Sequence, residues 1–198
     1  GETHQGVFDA AFLDTVPGMT VLCPSSFQEL RSMLRRAVLD QTGPVAVRYP
    51  KGGEGTFRGD TGAASTCILR QGRDITLLGY GGMIDQLLDC ARRLEADGID
   101  AEIVKLSAIT PIDMAPIAAS VRKTGRLLCA EEAARANSVG QRVAAALLEE
   151  GVSLRGMALV DLGDGIVPHG AVPQLRELRG LDGAHLHQRA REVCGHGG

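Results

Sequence analysis

The sequence lacks tryptophan altogether and has only 4 phenylalanines and 2 tyrosines among its 198 residues. A core must therefore be built from Leu, Val, Ile and Ala, as is usual where helices pack on a parallel sheet. It also lacks an excess of cations: the formal net charge is −3 at pH 7, which argues against a nucleic-acid surface. No apolar run approaches the ~20 residues that span a bilayer, so we expect no membrane segment.

The sequence has no C-x-x-C pair either, and its five cysteines are widely spaced. Isolated cysteines in odd number are typical of small buried side chains in a reducing compartment, so we expect a cytoplasmic protein. His185, His187 and His196 lie close together in the sequence, but no acidic or cysteine partner stands at a suitable spacing. We therefore predict no metal site in this chain.

The first part of the chain predicts one β-α-β unit. A short buried strand over 19–23 precedes a helix that runs to about Asp40, and a second strand covers 45–49. Ser26 and Glu29 fit a capping box, in which each side chain satisfies a free N–H at the start of the helix.

A linker is predicted over residues 51–65, which are rich in Gly, Ser and Thr and carry little apolar content. The composition changes on either side of it. We therefore place a first domain at 1–50 and a second domain at 66–198.

Strands and helices alternate strictly in the second domain. The predicted strands span 74–78, 101–106, 126–130 and 157–162, and the predicted helices span 83–96, 112–121, 139–148 and, in two pieces, 171–193. Such alternation implies a mostly parallel sheet covered by helices, with right-handed crossovers. The predicted fold class is therefore α/β.

Glycines at 79, 81 and 82 form a predicted tight turn between a strand and a helix, where a dinucleotide-binding fingerprint would lie. The fingerprint fails because Ile84 occupies the position of its third glycine. We interpret these glycines as residues that let the chain turn with positive φ.

Glu131 and Glu132 end a predicted strand, at the carboxyl edge where α/β folds bind ligands. Paired carboxylates can transfer protons there, and they can equally stabilise the N-terminus of the following helix. We favour the structural interpretation, because charges at helix N-termini are favourable without any chemistry.

Two further residues are candidates for chemistry. His4 lies in the segment Thr3-His4-Gln5-Gly6, and histidine is the side chain best matched to proton transfer near neutral pH. From the residues alone, a structural role is the more common alternative for a single histidine. Arg48 ends a predicted strand, and arginine can bind a phosphate or carboxylate through two parallel hydrogen bonds. From the residues alone, an internal salt bridge remains an equal alternative for Arg48.

These segments together resemble the 1-deoxy-D-xylulose-5-phosphate synthase family of transketolase-type enzymes. The resemblance is carried by T-H-Q-G-x-F-D from residue 3, V-P-G-M from 16, P-S from 24, and G-P-x-A-V-R-Y-P-x-G from 43 to 52. The later segments 163–170 and 180–182 resemble the tail of the same family. The family's E-E-N-x-x-x-G-G-x-G segment is matched only in part, because Asn137 and Ser138 interrupt the glycine run.

The resemblance implies a reaction that joins pyruvate to D-glyceraldehyde 3-phosphate with loss of CO2. It implies thiamine diphosphate and Mg²⁺ as cofactors of the full-length enzyme, which is typically a homodimer. It places His4 beside the reacting substrate and Arg48 in the clamp for the acceptor phosphate. Residues 1–50 would be the second part of a pyrimidine-binding domain, and 66–198 a transketolase C-terminal domain.

The resemblance also implies that the cofactor-activating residues precede this chain. We therefore expect the chain alone to bind thiamine diphosphate weakly or not at all and to be inactive. We expect residues 1–50 to be mobile or to associate with a neighbouring molecule, and residues 66–198 to fold autonomously. Two alternatives remain open: another transketolase-type subunit, such as the β chain of a 2-oxoacid dehydrogenase, or a non-catalytic dimerisation module.

Overall fold

The computed structural model describes residues 4–195. Its α-helices are α1 (Asp9–Phe12), α2 (Phe27–Leu39), α3 (Met83–Ala96), α4 (Met114–Thr124), α5 (Val139–Glu149), α6 (Val172–Leu178) and α7 (Gly183–Val193). Its strands are β1 (Thr20–Leu22), β2 (Val45–Val47), β3 (Thr66–Arg70), β4 (Ile75–Tyr80), β5 (Ala101–Leu106), β6 (Ala108–Thr110), β7 (Arg126–Ala130) and β8 (Gly156–Val160).

A five-stranded sheet in the order β3-β5-β4-β7-β8 is the centre of the second region. All its pairs are parallel except β3 with β5, which is antiparallel. Every residue of β4 and of β5 is buried, because helices cover both faces. The predicted α/β class with a mostly parallel sheet is confirmed.

Successive residues of the central strand contact opposite helical layers, as the two-residue period of a strand requires. Leu77 belongs to the core beneath α3 and α7, and Leu78 belongs to the core beneath α4 and α5. The result is a three-layer arrangement. Open α/β sheets commonly bind ligands at the carboxyl ends of their strands, which here include the ends of β4 and β7.

Three predicted details of this region are wrong. The strand β4 continues through Tyr80, so the turn begins only at Gly81, which has φ 55°. Helix α4 begins at Met114 rather than 112, because the Asp113 side chain caps it by accepting from Ala115 N. The strands β3 and β6 were not predicted, since a half-exposed edge strand and a three-residue strand show little periodicity.

The first region forms a smaller sheet in the order β2-β1-β6. Strand β1 pairs parallel to β2 and antiparallel to β6. Because only Ser107 separates β5 from β6, the chain passes directly from the large sheet into the small one. The small sheet is therefore completed by a strand from the second region.

Helix α2 packs on this small sheet through few residues. Its predicted limits agree with the structure, and Ser26 caps it by accepting from Glu29 N. The carboxylate of Glu29 does not return to Ser26 as a capping box requires; it accepts from Ser25 N at 2.8 Å. Glu29 and Met33 are the buried residues of the helix.

A buried ion pair joins the two regions. Lys105 Nζ, on β5, lies 3.0 Å from Glu29 Oε1, on α2, and both side chains are fully buried. Hydroxyl groups complete the network: Lys105 donates to Ser107 Oγ at 2.7 Å, and Thr61 Oγ1 donates to Glu29 at 2.7 Å. Such a pair is tolerated in a core only because hydrogen bonds satisfy both charges.

Residues 51–65 contain no helix or strand but are held against the second region. The Asp85 carboxylate, on α3, accepts from Thr56 N and Phe57 N, both at 2.8 Å. A Cβ atom at Gly55 would lie 1.6 Å from Asp85 Oδ2, so a larger residue there would displace the Asp85 carboxylate. Within residues 4–195, none of the helices is both long enough and apolar enough to cross a membrane.

Candidate active site

Two adjoining clefts open where the ends of β2, β4 and β7 meet α6. The first has a volume of about 370 Å³, and the second, of about 600 Å³, reaches the start of α2. Both are lined by Tyr49, Pro50, Lys51, Gly82, Val172 and Arg176. This is the edge at which open α/β sheets bind ligands.

Arg48 lines the first cleft and links three parts of the chain. Its Nη2 donates to the carbonyl oxygens of Gly6, at 3.1 Å, and Glu132, at 2.8 Å. Its guanidinium carbon lies 5.8 Å from the centroid of the Tyr80 ring, within cation–π range. Among residues 4–195 the buried Nε has no hydrogen-bond partner. These hydrogen bonds go to backbone carbonyls, not to a carboxylate as the salt-bridge alternative requires.

His4 is exposed. It lies two residues before Gly6, which is the first residue along the chain that lines the first cleft. The segment that carries it is fixed to the second region. Val167 N donates to Gln5 Oε1 at 3.1 Å, and Ala134 N donates to the carbonyl of Val7 at 2.8 Å. The structure thus brings the His4 segment and Arg48 together at one rim, through the contact of Arg48 with Gly6.

Glu131 is buried and serves the fold. Its carboxylate accepts from Tyr80 Oη at 2.9 Å, from Val139 N at 3.1 Å and from Gly140 N at 2.8 Å, at the start of α5. Burial raises the pKa of Glu131, and the hydrogen bonds from Gly140, Tyr80 and Val139 oppose that rise. The structural interpretation therefore fits Glu131.

Glu132 lines the first cleft instead. Its Oε1 accepts from Arg176 Nε at 2.6 Å, and its backbone carbonyl accepts from Arg48. Gly82 makes room for this pair, because a Cβ there would lie 2.8 Å from Arg176 Nη2. The glycines before α3 thus serve both a turn, at Gly81, and a close approach, at Gly82.

Lys51 and Arg176 are cleft residues that sequence reasoning missed. Lys51 is exposed, lines both clefts and follows Arg48-Tyr49-Pro50, so its position beside a candidate was a usable signal. Arg176 lies 44 residues beyond Glu132, and its only sequence signal was membership of a predicted helix.

Two further histidines, both on α7, contact carboxylates. His187 Nε2 lies 2.7 Å from Asp97 Oδ2, and His185 Nδ1 contacts Asp182, the cap of α7. Within residues 4–195, no group of three or more His, Cys, Asp and Glu side chains is placed to hold a metal ion. His196 lies outside the described residues.

Two family models match the sequence. The model described as "Transketolase, C-terminal domain" matches residues 65–186, and the one described as "Transketolase, pyrimidine binding domain" matches residues 1–53.

Among curated proteins, the chain is 37% identical over 207 residues to the 1-deoxy-D-xylulose-5-phosphate synthase of Heliobacterium modesticaldum, covering 98% of this chain and 30% of the relative. It is 37% identical over 186 residues to the synthase of Desulforudis audaxviator, covering 91% and 29%. The chain therefore spans about three tenths of the length of the curated relatives it matches.

Solved structures agree with the fold. The chain resembles a structure described as a split gene transketolase, inactive beta4 tetramer, with a TM-score of 0.81 and 28% identity, covering 98% of this chain and 63% of the other. A transketolase of Pichia stipitis matches with a TM-score of 0.74 and 17% identity, covering 98% of this chain and 28% of the other.

Proposed function

Because the chain belongs to the transketolase family, we propose that it is the C-terminal portion of a 1-deoxy-D-xylulose-5-phosphate synthase. The whole enzyme would condense pyruvate with D-glyceraldehyde 3-phosphate and release CO2. The observation that carries this proposal is the 37% identity to such a synthase over 98% of the chain. That match includes the rim where Arg48 contacts the His4 segment.

In this proposal the first cleft receives the acceptor phosphate. Arg48 offers a guanidinium whose Nε has no partner within residues 4–195, and exposed Lys51 offers a second cation. Cations that converge on a concave surface favour a phosphate dianion. His4, at the rim, would donate a hydrogen bond or a proton to the reacting oxygen.

Thiamine diphosphate, when bound to the complete enzyme, would supply the electron sink for decarboxylation. The described residues do not fit its metal: residues 4–195 bring together no metal-holding group of His, Cys, Asp and Glu side chains. We assign Mg²⁺ and the diphosphate to the part of the longer polypeptide that this chain does not span. The role of the present chain is to bind and orient the acceptor.

We further propose that the complete enzyme is a cytoplasmic homodimer. The transketolase family match and the five free cysteines support this assignment. Gel filtration with light scattering on the complete polypeptide checks the dimer; a monomer at micromolar concentration would contradict it.

The test of the acceptor site uses the complete polypeptide with pyruvate and glyceraldehyde 3-phosphate. Lys51→Met should raise KM for the phosphorylated acceptor on the order of 10-fold without lowering thermal stability, because one charged contact is lost. Arg48→Met should raise the same KM and also loosen the His4 segment, since Arg48 holds Gly6 and Glu132. Unchanged KM values in both variants would contradict the assignment.

Calorimetry tests whether the present chain binds the cofactor. The 198-residue chain, titrated with thiamine diphosphate in the presence of Mg²⁺, should show no binding tighter than millimolar. Micromolar binding would refute the proposal that the cofactor residues lie elsewhere.

A second candidate is a non-catalytic assembly module, supported by the likeness to a split gene transketolase described as an inactive beta4 tetramer. A 2-oxoacid dehydrogenase β chain is disfavoured, because the curated relatives reported above are synthases. Mixing the present chain with a separately expressed preceding portion discriminates the two candidates. Restored synthase activity supports the enzyme, and assembly without activity supports the module.

A further inference from the structure

Helix α6 forms a wall of both clefts although none of its residues is buried. Val172 and Arg176 line both clefts, and Leu175 lines the first. The helix is preceded by the glycine-rich segment 163–170, in which Gly163 and Gly165 have positive φ. A short helix held by so little apolar burial depends on its polar contacts for its position.

The polar contact that holds α6 is the pair of Arg176 with Glu132. The two side chains are 17% and 24% exposed, so the pair is partly shielded from water. Arg176 Nε donates a hydrogen bond to the Glu132 carboxylate, while Arg176 Nη2 lies close to Gly82, at the start of α3. Glu132 also contacts Arg48 through its carbonyl, so both arginines meet at one residue on the wall of the first cleft.

We propose that Arg176 is a further phosphate-binding residue for the acceptor substrate, held in place by Glu132. This inference rests on the proposed function. A phosphate in the first cleft would bind the terminal nitrogens of Arg176 together with Arg48 and Lys51, and Glu132 would compete with it for the same guanidinium. Arg176 would thereby favour a phosphorylated acceptor over an uncharged one.

The competition gives the two partners opposite effects. Arg176→Met removes the cation, so KM for glyceraldehyde 3-phosphate should rise on the order of 10-fold, while KM for unphosphorylated glyceraldehyde stays unchanged. Glu132→Gln retains an acceptor for Arg176 Nε but removes the competing charge. KM for the phosphorylated acceptor should then fall about 3-fold.

The matched control is Arg179→Met, which removes a nearby arginine that lines a different cleft. It should change neither KM. Arg176→Lys should restore part of the preference, because it keeps the charge but not the planar fork. Thermal unfolding of each variant shows whether it is folded at the assay temperature.

Several outcomes would overturn the inference. If Arg176→Met and Glu132→Gln both raise KM for both acceptors, the pair only positions α6. If these variants change KM for pyruvate and not KM for the acceptor, Arg176 binds pyruvate and not the acceptor phosphate. An inactive complete polypeptide would remove the proposed function and this inference together, whereas an active wild type with unchanged acceptor preference in both variants refutes this inference alone.

Discussion

Helices α2 and α3 have nearly the same length and are both amphipathic, yet they are buried to different extents. Helix α3 buries six residues against the large sheet and α7, whereas α2 buries only Glu29 and Met33. Phe27, Val38 and Leu39 of α2 are 58%, 77% and 62% exposed. The comparison shows that an amphipathic pattern identifies the apolar face of a helix but not whether a partner is present in the same chain.

The first region therefore depends on the second for its stability. Its own core cluster contains Leu22 and Met33, and the third member, Ala108, comes from the second region. The five-stranded sheet of the second region instead has a large cluster on each side, and one of them also includes Ala10, Val21 and Cys23 of the first region. Breaking the contacts between the regions should affect the small sheet first.

The largest expected effect comes from the ion pair that joins the regions. Lys105→Met should lower the free energy of unfolding by about 3–5 kcal/mol, because Glu29 would be left buried without its counter-charge. Urea denaturation of the 198-residue chain measures the loss. The double variant Lys105→Met with Glu29→Leu removes both charges and should recover most of it; a double variant no more stable than the single one would contradict this account.

The next effect tests the two helices directly. Leu87→Ala on α3 should lower the free energy of unfolding by about 2–5 kcal/mol, because the Leu87 side chain is fully buried. Val38→Ala on α2 should change stability by less than about 0.5 kcal/mol, because that side chain is 77% exposed. Equal losses in the two variants, measured by thermal unfolding, would mean that α2 is covered in solution.

The smallest effect compares two buried thiols. Burial raises the pKa of Cys23, in the first region, and of Cys90, in the second, each to about 12. Their intrinsic reactivity is therefore similar, and any difference in labelling rate reports local opening. Iodoacetamide at pH 8, followed by mass spectrometry, should label Cys23 about 10-fold faster than Cys90. Faster labelling of Cys90 would mean that the second region opens more readily than the first and would contradict the prediction.

The regular parts of the fold could be predicted from local patterns. The limits of α3, β5 and β7 agree with the sequence prediction, because buried strands and a long amphipathic helix carry strong periodicity. Strand β6 was missed, since its pairing with β1 is made by residues about 90 positions away. Local spacing carries no information about such pairing.

The candidate site could be predicted only in part. Side-chain chemistry and the family resemblance both single out Arg48 and His4, but the hydrogen bonds of Arg48 to Gly6 and Glu132 span 42 and 84 positions. Glu29 was predicted as a capping residue, and the sequence gives no sign of its pairing with Lys105. Arg176 was missed for the same reason, because an isolated arginine on a short helix shows nothing of what it faces.

The direct passage of the chain from β5 to β6 determines how the two sheets are connected. Ser107 is the only residue between the two strands, so the two sheets are linked covalently through a single residue at this point. Segment 51–65 is a second, longer covalent link between the two regions, and Asp85 holds it against the second region. Cutting the chain within residues 51–65 should therefore leave two pieces that remain associated through the pairing of β1 with β6 and the ion pair of Glu29 with Lys105.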